Sequence, residues 1–152
     1  MIVLALLIGV VAGLRAFTAP AAVSWAAYLG WLPLSGTPLA FMGSVWATGI
    51  LTILALVEFI TDQLPSTPSR KVPVSFGARI LTAVAAGGAI GAPSGWLILG
   101  AIAGMVGSVI GTFGGHAARA RLATTLRSDT PAAFIEDGVA IAAAIIIVLV
   151  LK

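Results

Sequence analysis

Long apolar runs, cut by clusters of Gly, Pro and charge, organise this chain. The first run, Met1–Leu14, would be about 21 Å long as a helix, short of the ~30 Å of bilayer hydrocarbon. Gly13-Leu14-Arg15-Ala16-Phe17-Thr18-Ala19-Pro20 interrupts it, with Pro20 suited to the first turn of a new helix and Thr18 to its cap. The second run reaches about Trp31, and Pro33, Gly36 and Pro38 mark a loop. The third, Leu39–Asp62, is long enough to span and is stopped by Pro65 and Pro68. The fourth runs from Phe76 to Ala92, turns at Pro93-Ser94-Gly95, and leads into a fifth from Trp96 to about Gly115. After a polar stretch, His116 to Thr130, the last run is Pro131–Leu151, with Thr130 as cap. This pattern predicts an all-α, polytopic transmembrane bundle of five to six membrane segments, with a broken first helix, forming one domain over residues 1–152. Met1–Leu14 either spans or re-enters.

Composition moves the same way. Only 9% of residues are charged and 60% are hydrophobic, where a soluble domain carries about 25% charged residues. Mean hydropathy is +1.15. A net charge of +3 would point to nucleic acid in a soluble protein. Here the Lys and Arg residues collect in two short inter-helix segments, which reads as an orientation signal, so lipids and not nucleic acid are the expected partners. The chain has no cysteine, which excludes disulfides, thiolate metal sites and cysteine nucleophiles. The N-terminal run lacks the basic leader of a cleavable signal peptide.

The two basic segments, Ser66–Ser75 and His116–Thr130, are separated by two spans joined by a tight turn, so they lie on one side. The positive-inside rule makes that side cytoplasmic. Trp31, Trp46 and Trp96 then sit near the outer ends, as an interfacial belt does. Two local matches hint at internal duplication: Gly13–Ala19 with Gly77–Ala83, and Phe59-Ile60-Thr61-Asp62 with Phe134-Ile135-Glu136-Asp137. Halves of this kind are common in transporters.

On this topology the ionisable residues gather at one membrane face. Glu58 and Asp62, four apart, share a helix face. Glu136 and Asp137 lie about two turns into the last span, Arg79 lies early in the fourth, and Arg15 joins them if the first two runs form a hairpin. The simplest reading is interface residues and ion pairs. The functional reading rests on cost: a central Asp or Arg in a membrane helix costs ~2.5–3.5 kcal/mol, so such groups usually face a cavity or a partner. Glu58, Asp62, Glu136 and Asp137 are therefore candidate cation- or proton-binding groups, with Arg15 and Arg79 as counter-charges. Ser66, Thr67, Ser69, Arg70, Lys71, His116 and Arg119 could contact a headgroup or other anion. No phosphate loop, nucleophile elbow or zinc ligand set is legible, so neither enzyme activity, cofactor nor metal is expected. Gly100, Gly104, Gly107, Gly111 and Gly115 form a small-residue stripe for helix packing within the bundle or for a homodimer seam.

The stretch Glu58-Phe59-Ile60-Thr61-Asp62-Gln63-Leu64-Pro65-Ser66-Thr67-Pro68-Ser69-Arg70 resembles the signature of a family of small bacterial inner-membrane proteins defined as a domain of unknown function (domain of unknown function 4126). Ala78-Arg79-Ile80, Gly114–Arg119 and Phe134–Ile141 resemble its other motifs, and the likeness covers nearly the whole chain. Gln63 departs from it, where the family pattern implies lysine. The resemblance implies a location, the bacterial inner membrane, and no activity. The expected function is a transporter or permease-like protein with a carboxylate and arginine cluster open to the cytoplasm. The alternative is a non-catalytic protein that holds a lipid or a partner helix.

Overall fold

In a computed structural model, which describes residues 1–62 and 72–152, the chain is all-helical, with no strand among the described residues. Six α-helices follow one another: α1 (Ile2–Leu14), α2 (Thr18–Tyr28), α3 (Val45–Thr61), α4 (Pro73–Gly91), α5 (Leu97–Leu126) and α6 (Asp129–Val150). Short 3-10 turns at Ala40–Gly43 and Ala92–Ser94 precede α3 and follow α4. Helices α4, α5 and α6 are long and apolar enough to cross a membrane, and α1 and α3 are shorter apolar helices. Large apolar side chains such as Ile53, Val74, Leu81, Ile98 and Ile146 are exposed on the outside of the bundle, as in a protein solvated by lipid.

Glycine sets how the helices meet. Gly9 lies against the backbone of Gly104, and Gly13 against that of Ser108, Gly111 and Thr112, so α1 and α5 run parallel. Gly87 lies on Gly100 and Gly104, and Gly91 on Trp96 and Gly100, so α4 returns antiparallel to α5. A Cβ at any of these four glycines would overlap backbone atoms of the neighbour, and only glycine allows so close an approach. Gly100, Gly104, Gly107 and Gly111 therefore face this chain's own α1 and α4.

Helix α2 runs back antiparallel to α3. Ser24 and Thr48 share a 3.0 Å hydrogen bond, Trp25 Nε1 donates to Thr52 Oγ1 at 3.0 Å, and residues before α2 reach Glu58 near the far end of α3. Thus α1 and α2 form a hairpin. At 13 and 11 residues its arms are about 20 and 16 Å long, short of a full crossing. The tip, Arg15–Phe17, turns within the bundle. The hairpin's open end lies beside the end of α6, where Lys152 Nζ is 5.6 Å from the centre of the Trp31 ring.

Several boundaries differ from the sequence-based expectation: α3 starts only at Val45, after the 3-10 turn, and at 17 residues is shorter than the span expected over Leu39–Asp62, and α4 starts at Pro73, the proline at its N-terminus, before Phe76. Helix α5 continues past Gly115 to Leu126. The stretch Ala117-Ala118-Arg119-Ala120-Arg121-Leu122-Ala123 consists of strong helix formers, and its polarity marks exit from lipid, not the end of the helix. Helix α6 begins at Asp129 after Ser128, two residues before the proline.

Candidate functional site: the charged tip of the hairpin

Breaking a helix leaves carbonyls without partners at one end and N–H groups without partners at the other. At depth in a membrane such groups must be satisfied by protein or line a cavity. Around Arg15–Phe17 the protein satisfies both ends with opposite charges. The last carbonyls of α1 accept from Arg79, whose Nη1 lies 2.9 Å from Gly13 O and 2.7 Å from Leu14 O. Thr112 Oγ1 on α5 also donates to Gly13 O, at 3.3 Å. On the other side, Ala16 N–H donates to Glu58 Oε1 at 2.7 Å and Phe17 N–H to Glu58 Oε2 at 2.9 Å. Cation at the C-terminus and carboxylate at the N-terminus both match the helix dipoles.

The cap of α2 is therefore Glu58, not Thr18. Thr18 is already in the first turn, and its buried hydroxyl has no hydrogen-bond partner among the described residues. Glu58 reaches the tip because it faces inward one turn from the end of α3.

Arg15 itself is fully buried. Its Nε donates to Asp137 Oδ1 at 2.6 Å, Nη1 pairs with Asp62 and Nη2 with Asp137. Phe59 stacks near it, with Cζ 5.7 Å from the ring centre. One guanidinium thus ties α3 and α6 to the hairpin. Asp62 serves two cations, since Arg79 Nη2 lies 4.0 Å from its Oδ2; the same nitrogen is 3.9 Å from Glu58 Oε1. Glu58, Asp62, Asp137, Arg15 and Arg79 form one connected network.

Glu136 joins a second group. Arg119 Nη1 lies 3.6 Å from Glu136 Oε2, and Arg119 makes a two-pronged contact with Asp129 at 3.0 and 2.6 Å. Arg119 is thereby engaged by carboxylates of α6. His116 is exposed on α5. Ser66, Thr67, Ser69, Arg70 and Lys71 lie outside the described residues, as does Gln63. Among the described residues no three His, Asp or Glu side chains converge as a metal ligand set.

The sequence does not point to Thr112, Phe59 or Asp129. Thr112 carries a signal all the same: with Ser108 it forms a hydroxyl pair four residues apart beside the glycine stripe, and such groups commonly bond across membrane helices. The repeated motifs sit differently in their helices. Arg15 follows the last turn of α1 whereas Arg79 is in the second turn of α4; Asp62 ends α3 whereas Asp137 is two turns into α6.

Fold and site together define a small, all-helical membrane protein built around a charge-capped helical hairpin. The chain belongs to the family described as Domain of unknown function (DUF4126), whose model matches residues 2–150. No curated protein and no solved structure matches it.

Proposed function

We propose that this protein is a multi-pass transporter or permease-like protein of the bacterial inner membrane, whose hairpin network relays protons or binds a cation. The observation that carries the reading is Asp62. It is paired with Arg15 and within ion-pair reach of Arg79, so it has two alternative cation partners at the end of a broken helix. Buried ionisable groups are expensive in a membrane and recur along proton and ion pathways. A proton or cation arriving at Asp62 would free Arg15 for Asp137 alone and let Arg79 shift along Glu58. Interrupted helices are also the usual seat of substrate sites in transporters. The basic residues near this end of the bundle support a cytoplasm-facing orientation by the positive-inside rule. Arginines already hold the carboxylates, which favours protons over a resident cation. No catalytic step is assigned.

The other reading, a non-catalytic protein that binds lipid or a partner helix, is favoured by the same arginines: Glu58, Asp62, Glu136 and Asp137 each lie within ion-pair distance of a guanidinium. Such pairing would also serve to lock a scaffold.

Purified protein in liposomes with a pH-sensitive dye inside separates the two. The transport reading expects a pH gradient to collapse faster than in empty liposomes, and Asp62→Asn or Asp137→Asn to abolish the difference while the protein stays folded. Wild-type flux equal to that of empty liposomes across a broad cation and pH screen would sink it, leaving the binding reading.

A further inference from the structure

Helix α5 is longer than a membrane needs. Its 30 residues make about 45 Å of helix, against the roughly 20 residues that cross ~30 Å of hydrocarbon. If Leu97 starts the crossing, the apolar part ends near Ala117, and about two and a half turns project beyond it. Arg121 and Arg127 stand on that projection, exposed. Neither has an ion-pair partner among the described residues, unlike Arg119, which Asp129 and Glu136 engage. Arg121 lies four and eight residues after Ala117 and Phe113, so it continues the stripe that Phe113 exposes to lipid.

Arg127 adds a separate observation. It ends α5 in the left-handed conformation, φ 53°, the only non-glycine residue with positive φ among those described. Glycine is the usual occupant of that position because a Cβ is strained there. Here the chain places a cation at this corner instead. The nearby hydroxyls are turned to their own helix, where Thr124 donates to Ala120 O and Thr125 to Arg121 O.

We propose that the projecting end of α5, through Arg121 and Arg127, is a contact for the headgroups of anionic phospholipids. Charge complementarity selects the partner: two exposed guanidiniums with no ion-pair partner among the described residues, Arg121 continuing the lipid-facing stripe about 6 Å beyond the apolar part and Arg127 at the end of the projection. This contact is independent of the hairpin network.

The test uses the full chain reconstituted in phosphatidylcholine nanodiscs with increasing phosphatidylglycerol. Lipids retained by the protein are counted by native mass spectrometry. Wild type is expected to retain phosphatidylglycerol in excess over its share of the mixture. R121Q and R127G should each lower that excess by about five-fold, the size of one basic residue's attraction to an anionic surface. R121Q should melt like wild type in pure phosphatidylcholine, since the residue is exposed and unpaired, so its loss of lipid reports binding and not unfolding. Raising the salt from 0.1 to 1 M shrinks the screening length from about 10 to 3 Å and should erode the wild-type excess. A wild type without the excess, or a double variant that keeps it, overturns the proposal. So does inorganic phosphate competing the phosphatidylglycerol away, which would make the corner a site for free anions.

Discussion

The hairpin tip and the root of α6 are made from the same residue types and behave as different materials. At the tip, Arg15 has 0% of its side chain exposed and Asp62 and Asp137 have 15% and 11%. At the α6 root, Arg119 and Asp129 meet in a two-pronged pair with 19% and 64% exposed. The tip pairs come from α1, α3, α4 and α6, far apart in sequence, while Arg119 and Asp129 flank a single turn. The difference is solvent. Water screens the outer pair and rewards it little, with a typical worth of ~0–1 kcal/mol. The inner network has no such reservoir, so each charge depends on its partners. The inner network also holds backbone, through Glu58 and Arg79. Geometry and charge there are one system, and a proton added to it would be felt by the helix break.

The largest expected effect breaks that system at its centre. Arg15→Met removes the fully buried cation shared by Asp62 and Asp137, and removing one partner of a buried pair costs about 3–5 kcal/mol. Thermal melting in detergent should fall sharply. Adding Asp62→Asn and Asp137→Asn to Arg15→Met should recover much of the loss, because the three changes together remove the uncompensated charge. Strict additivity across the series would show that the three side chains do not form one network.

A middle-sized effect isolates the backbone role. Glu58→Ala removes the acceptor of two N–H groups at the start of α2, and hydrogen bonds to a charged group are worth about 1.5–3 kcal/mol. Amide exchange should rise at Ala16 and Phe17 and leave α5 unchanged. Glu58→Gln keeps a carbonyl acceptor for one of the two donors and should fall between wild type and alanine. Equal melting for all three would mean that the tip is satisfied without Glu58.

Much of this is readable from residues. The Gly and Pro punctuation places most of the segments, since those residues act locally whatever the neighbours do. Glu58, Asp62, Arg15 and Arg79 stand out because charge is rare in an apolar chain. The partner assignment is less legible. The sequence offers Arg79 as a counter-charge to the carboxylates, and it lies within reach of Glu58 and Asp62, but its Nη1 donates to the carbonyls of Gly13 and Leu14. Backbone acceptors leave no mark in a sequence; they arise only when the chain folds into a hairpin. Glu58 as the cap of α2 is hidden for the same reason, being 41 residues from the nearer N–H it accepts. The extension of α5 to Leu126 is hidden because its polarity reads as a loop, although Ala and Arg favour helix in water as well as beside it.

The smallest effect sharpens the contrast from the other side. Asp129→Asn keeps the shape of the outer pair and removes its charge. Arg119 retains Glu136 at 3.6 Å, and what is lost is an attraction already weakened by water. Melting should drop by no more than about 1 kcal/mol equivalent, and the drop should vanish in high salt, where exposed charges are screened. Arg15→Met should keep most of its large loss in the same salt, because Arg15 is fully buried and its carboxylate partners are largely enclosed. If salt erases both losses alike, the tip is as wet as the root of α6, and the tip charges would then answer to solvent before they answer to one another.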